Sequence, residues 1–174
     1  GLVRTTRSFR TDAARHEARV RLCVDDDHSM LSVSIGPLRP VHFTATEGDV
    51  LLNYAAALRL DLDHGGQMYT SYGFGNMFTF PPYRREGHGQ QVLAMATDYI
   101  QRSGIDIAVL FCAPTLEVFY ARSGWQVIRT PVRIGTPSEY ETHNVTPMML
   151  FVSEKGQQGK RDFERQPLYI ESPW

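Results

Sequence analysis

Two arginines, an acid and two glycines stand in one tight run, Arg84-Arg85-Glu86-Gly87-His88-Gly89, immediately ahead of a stretch with helical periodicity. Glycines where a strand turns into a helix let the backbone approach an anion closely. The unpaired N–H groups and dipole of the helix start favour a phosphate there, and two guanidiniums add the matching charge. The pattern R-x-x-G-x-G lacks the G-K-[ST] ending of a Walker loop, and the third glycine of a dinucleotide fingerprint would fall at Val92. Taken alone, the run has two readings, an anion-binding turn or a flexible loop that opens a helix. The six histidines, His16, His28, His42, His64, His88 and His143, include no pair four residues apart, so no metal is expected. Asp25, Asp26, Asp27 and His28 read as a solvated turn, because consecutive residues do not converge on one cation.

The elements that must position this run follow from periodicity and punctuation. Val92, Leu93, Ala96, Tyr99 and Ile100 share one helical face and Gly104 closes the segment, which predicts a helix over residues 87–103. Ahead of it, VLLNYAAALRLDL (50–62) and QMYTSYGFGNMFTF (67–80) predict a hairpin of two strands turning at Asp63, His64, Gly65 and Gly66, with a short helix around AAAL as the alternative. Gly73 and Gly75 inside the second strand mark a bend or the close approach of a ligand. IDIAVLFC (105–112) is a continuous apolar run, as a strand buried on both faces requires. A second helix is expected over 115–123 with Leu116, Phe119 and Tyr120 inward, then strands at WQVIRT and TPMMLFVS. Upstream, residues 1–16 read as an irregular lead-in, 18–24 as a strand, and 31–46 as strand-like but broken at Gly36, Pro37 and Pro40. Residues 153–174 read as a carboxyl-terminal tail. The order of elements predicts an α/β (α+β) fold, one domain over residues 1–174, with a mixed central sheet flanked by helices.

Composition narrows the function. A chain of 174 residues buries roughly 70% of its unfolded surface and can hold one core without a staple. Eighteen Lys and Arg against nineteen Asp and Glu give no basic surface for nucleic acid. Cys23 and Cys112 are too few for a disulfide framework, which points to a reducing compartment. No apolar run approaches the roughly 20 residues of a membrane span and no secretory signal pattern opens the sequence, so a cytoplasmic protein is expected. The sequence starts at Gly1 and not Met, which leaves the amino-terminal boundary open.

A strand, Pro81 and Tyr83, the R-x-x-G-x-G turn, a helix, a buried strand and FYARSGW (119–125) follow one another in an order that resembles the GNAT superfamily of N-acetyltransferases. The resemblance covers roughly residues 50–130. It implies a fold in which the two central strands splay, with Gly75 a place for the bulge that starts the splay, and acetyl-CoA as cosubstrate. The backbone of Met77, Phe78 and Thr79 would pair with pantetheine and orient the thioester. Arg84, Arg85, Glu86, Gly87, His88, Gly89 and Gln90 would wrap the pyrophosphate, mostly through N–H groups. Tyr120 would protonate the departing CoA thiolate, the alternative being a core tyrosine.

Where the chain departs from the family pattern, roles go unfilled. Ala113 stands where many relatives carry Asn, and Ala108 where many carry an acid on the buried strand, so the usual base is missing. An amine of pKa about 10.4 costs roughly 4 to 5 kcal/mol to present neutral at pH 7. Glu117 is a candidate base that could instead face solvent. Asp61, Asp63, Glu139 and Glu141 could hold a cationic substrate or be surface charges. Cys112, close to the expected thioester, could carry an acyl group or act as a small buried hydrophobe. Phe74, Phe78 and Phe80 would limit or admit longer acyl chains according to the face they occupy.

The expected activity is acetyl transfer from acetyl-CoA to a primary amine of a small molecule, by direct attack. A tryptophan at position 174 and the FY…GW wording add a likeness to the aminoglycoside 2'-N-acetyltransferase branch. The tail 153–174 would shape or cap the acceptor pocket. The alternatives are a non-catalytic acyl-CoA-binding module of the same fold and a dimerisation domain with an empty groove. The expected partner is a small-molecule amine, without nucleic acid or membrane, and a homodimer stays open.

Overall fold

A computed structural model describes residues 3–9, 18–24, 31–35 and 40–174 except residue 49. The turn expected at residues 25–28 and the break expected at Gly36 and Pro37 lie outside these residues. The chain divides into two compact units that alternate along the sequence, residues 1–58, 75–98 and 174 in one and residues 59–74 and 99–173 in the other.

In the first unit, β1 (Val3–Phe9) pairs antiparallel with β2 (Ala18–Val24), Val3 opposite Val24 and Phe9 opposite Ala18. This corrects the expectation of an irregular lead-in. A strand of Arg, Thr and Ser has little pattern of its own and owes its conformation to its partner. β3 (Leu31–Ile35) pairs antiparallel with β4 (Val41–Glu47), and β4 with β5 (Val50–His64), with a register shift between Ala45 and Thr46. Leu51 to Ala57 are all buried. That two-sided burial explains why the stretch lacks alternation and suggested a helix at AAAL; it is strand throughout. α1 (His88–Arg102) carries Val92, Leu93, Ala96 and Ile100 with no exposed surface, as its period predicts.

β5 turns at Gly65 and Gly66 into β6 (Gln67–Thr79), and both strands run from one unit into the other. In the second unit β6 pairs parallel with β7 (Ile107–Cys112), from Ser71 opposite Ile107 to Phe74 opposite Leu110. β11 (Thr146–Phe151) lies antiparallel on β7, and β8 (Gln126–Val127) on β11. The seven-stranded mixed sheet reads β3-β4-β5-β6-β7-β11-β8. β9 (Val132–Thr136), β10 (Glu139–His143) and β12 (Leu168–Ile170) make a separate three-stranded sheet, ordered β10-β9-β12.

Two further expectations need correction here. The second helix, α2 (Glu117–Ala121), spans five residues behind a 3-10 turn over Pro114–Leu116, and Leu116 is exposed instead of inward. Pro114 starts the turn late and the 3-10 geometry rotates Leu116 off the Tyr120 face. The supposed tail contains α3 (Glu154–Arg165) and β12. α3 is hard to read because its sequence, EKGQQGKRDFER, offers one large apolar residue and two glycines that weaken an isolated helix. Packing supplies the reason for both glycines. A Cβ on Gly156 would run into the Asp106 carbonyl, and one on Gly159 into the Tyr69 hydroxyl. Ser153 caps the helix, accepting from the Gly156 N–H at 3.0 Å and donating to Asp106 Oδ1 at 2.6 Å. Asp106 Oδ2 also accepts from the Thr70 N–H at 2.9 Å. Burial would raise the Asp106 carboxyl, but the bonds from Ser153 and Thr70 and the nearby Lys155 charge together hold it below its ordinary value. Phe163 anchors the far end, stacked on His64 at 4.1 Å.

Candidate functional site

The end of β6 and the turn after it lie wholly in the first unit. Asn53, fully buried on β5, donates through Nδ2 to Thr79 Oγ1, and the Phe80 N–H donates to the Leu52 carbonyl at 3.0 Å. A 3-10 turn over Pro81–Tyr83 then redirects the chain. Arg84 folds back: its Nε–H donates to the Thr79 carbonyl at 3.0 Å and its guanidinium lies 5.5 Å from the Phe78 ring centre. Phe78 is 45% exposed and meets Phe80 edge to face, whereas Phe74, in the second unit, is buried against Trp125.

Arg85 and Gly87 both have positive φ, 67° and 84°, so the turn twists through the left-handed region twice within three residues. Nothing lies within 4 Å of a Cβ built on Gly87, which makes its glycine a matter of backbone conformation and of open space at the helix start. The Gln91 N–H bonds back to the Gly87 carbonyl at 3.1 Å, which leaves the N–H groups of His88, Gly89 and Gln90 ahead of the helical ladder. A free Glu86 carboxylate would repel an anion here, but its Oε2 sits 2.8 Å from His88 Nε2. His88 is 7% exposed, and its Nδ1 is buried without a partner. An open turn with amides ahead of the helical ladder fits a phosphate-bearing ligand.

The remaining chemical candidates belong to the second unit. Tyr120 is 7% exposed on α2, edge to face with Phe119, and burial followed by the neighbouring Cys112 pushes its phenol up to about 12. It is therefore protonated at neutral pH. Cys112 is buried with Sγ 3.7 Å from Met148 Sδ, and burial followed by the Glu117 charge pushes its thiol up to about 11. A protonated, enclosed thiol is a packing group and a poor nucleophile. Glu117 does not face solvent freely. Arg129 reaches its two oxygens at 3.3 and 3.4 Å, and Thr146 Oγ1 donates to Oε1 at 3.0 Å. Asp61 pairs with Arg59 at 3.2 Å, and Asp63, Glu139 and Glu141 are exposed. Ala108 is buried on β7 and supplies no acid.

Gly75 follows the last β6–β7 pair directly, and its Cβ position is 3.3 Å from the backbone and ring of Trp174. Within the first unit, close approach at this glycine is therefore made by Trp174. Sequence reasoning missed Asn53 and the buried His42–Tyr54 bond of 2.9 Å. Their signal was polar side chains inside otherwise apolar strand runs. Among the described residues no three His, Cys, Asp or Glu gather as metal ligands, and no helix is long and apolar enough to cross a membrane.

A family model described as an acetyltransferase (GNAT) domain matches residues 42–128. No curated protein matches the sequence. Among solved structures, a GNAT family N-acetyltransferase, YhbS, from Escherichia coli in complex with CoA superposes with a TM-score of 0.53 at 16% identity, over 76% of this chain and 66% of that one. An N-acetyltransferase from Kribbella flavida gives a TM-score of 0.45 at 22% identity, over 49% of this chain. This chain spans 21% of the Kribbella flavida chain's length.

Proposed function

This chain belongs to the GNAT acetyltransferase family, and we propose that it transfers an acetyl group from acetyl-CoA to a primary amine of a small molecule. One observation carries the proposal: the Arg84–Gln90 turn, twice left-handed, opens α1 with unpaired N–H groups around open space. The pyrophosphate of CoA is a diphosphate anion, and a helix start with free amides is suited to it. Residues 1–174 act as a single acetyltransferase domain in the cytoplasm, where acetyl-CoA and reduced thiols coexist.

The neutral amine attacks the thioester carbonyl carbon and forms the C–N bond. Backbone N–H groups of Met77, Phe78 and Thr79 orient the thioester and stabilise the oxyanion that develops on its oxygen. Collapse breaks the C–S bond. Tyr120 gives its proton to the departing sulfur, and the proton lost from nitrogen returns to solvent, from which the phenol is refilled. The products are an acetamide and CoA thiol. A phenol held at about 12 carries its proton at neutral pH.

A second reading, an acyl-CoA-binding module without turnover, is favoured by one feature, the buried alanine at position 108 where the family resemblance implies an acid. Thermal shift with acetyl-CoA, CoA and longer acyl-CoAs, followed by a thiol-release screen over primary amines, separates the two. Ligand at about 100 times Kd stabilises by roughly 2.7 kcal/mol. Stabilisation with amine-dependent thiol release is the enzyme; stabilisation without release is the module; neither result would end both readings.

A further inference from the structure

One face of the three-stranded sheet in the second unit gathers hydrogen-bond donors that acetyl transfer does not use. Register places Arg133 on β9 between Thr142 on β10 and Tyr169 on β12. Alternation sends their neighbours to the other side, where Val132, Leu168 and Ile170 are buried. Tyr140, two residues before Thr142, shares the face of Arg133 and is 43% exposed. Glu139 and Glu141 alternate with these positions and belong to the opposite face.

The Arg133 guanidinium is held in place without a counter-charge. Its carbon lies 4.3 Å from the Tyr140 ring centre and 5.7 Å from that of Tyr169, and Nη1 donates to the Tyr169 hydroxyl at 2.7 Å. Nε is buried without a partner, and among the described residues no carboxylate pairs with this half-buried side chain. Packing against two rings fixes the guanidinium before any ligand arrives, so little side-chain freedom is left to lose on binding. The Tyr169 oxygen already accepts from Arg133, so its own hydrogen remains to be given. Guanidinium, phenol and the Thr142 hydroxyl therefore offer donors on one face with no acid among them.

We infer that this face binds the oxyanion of a small molecule, a carboxylate or a phosphate, with Arg133 as its anchor and Tyr169 donating beside it. A half-buried cation without a partner is costly as it stands, and a bond from it to an anion is charge-assisted. The site is independent of the acetyltransferase reading, because the Arg84–Gln90 turn belongs to the first unit and this face to the second.

Nitrogen-15 spectra of the full chain test this, since each arginine Nε–H gives its own signal. Arg133→Lys identifies the Arg133 signal by removing it, and Arg84→Lys does the same for Arg84. The probes are benzoate, phenyl phosphate and benzamide, which share a ring and differ in the charge and shape of its substituent. At least one of the two anions should move the Arg133 signal to saturation, and the tighter of them names the group that the site takes. Uncharged benzamide should bind at least about tenfold more weakly. In calorimetric titrations, Arg133→Gln should weaken the preferred anion by about tenfold, and Tyr169→Phe, which keeps the ring and removes the donor, by about threefold. The melting transition of each variant checks that it is folded, and Tyr169→Phe carries the test if Arg133→Gln is not. No shift with either anion, an equal response to benzamide, movement confined to the Arg84 signal, or undiminished affinity in the folded variants would overturn the inference.

Discussion

Arg84 and Thr79 are joined by a bond from Nε to the main-chain carbonyl, 3.0 Å long, that ties the turn ahead of α1 to the end of β6. An arginine expected to meet an anion is therefore partly committed to bracing the strand whose backbone would orient the thioester. Replacing it should disturb both tasks. Arg84→Ala is expected to weaken acetyl-CoA binding by about tenfold, the loss of one charge-assisted contact, with Arg84→Lys recovering part through charge alone. Titration calorimetry measures it, and an unchanged Kd in Arg84→Ala would assign the residue wholly to bracing.

Gly87 tests conformation apart from space. Since a Cβ there meets nothing within 4 Å, Gly87→Ala strains only the backbone at φ 84°, at a cost of roughly 1 to 2 kcal/mol. The expected result is a lower melting temperature and a smaller stabilisation by acetyl-CoA than the unaltered chain shows. Gly104→Ala, also at positive φ (75°) with open space but at the other end of α1, is the control: it should lower the melting temperature and leave the ligand response intact.

Gly156 and Gly159 should answer in the opposite sense from an ordinary helix. Alanine is favoured over glycine by about 1 kcal/mol in a helix interior, yet here the Asp106 carbonyl and the Tyr69 ring occupy the space. Overpacking of about 1 to 3 kcal/mol should win, so each Gly→Ala change lowers the melting temperature. A rise would show that α3 does not press on β6 and β7 as described.

Alkaline pH should destabilise the protein as its buried acids lose their protons, Cys112 first and then the tyrosines, Tyr54, Tyr72 and Tyr120 among them. Cys112 is raised from 9.0 to about 11 and Tyr120 from 10.0 to about 12, so the folded state holds protons that the unfolded chain releases. Their stabilisation is complete below pH 9 and is lost as pH rises, first between 9 and 11 and then between 10 and 12. Denaturant midpoints at rising pH check this, and Cys112→Ala should delay the onset. In turnover assays, Tyr120→Phe is expected to lower kcat by about 100-fold if the phenol is the acid. Acetyl-CoA affinity would be retained.

Helix α1 and strand β7 were legible because their burial follows a local rule, period 3.6 on one face or an unbroken apolar run. The turn ahead of α1 was legible because its left-handed backbone at Gly87 calls for glycine, a reason that a short window contains. β1, α3 and the three-stranded sheet were not, since polar residues gain their conformation from partners far along the chain. Asp106 illustrates this: one aspartate binds Thr70 from β6 and Ser153 ahead of α3, a relation with no local trace.

By itself the sequence determined helix α1, strand β7 and the glycine-bearing turn between β6 and α1, because each depends on neighbours within a few residues. The tertiary structure alone decided that Glu117 is held by Thr146 and Arg129, that Cys112 is a buried thiol pushed up to about 11, and that Trp174 lies against Gly75. These are effects of burial and of charges brought together from distant positions, and no spacing along the chain encodes the dielectric in which a group will sit.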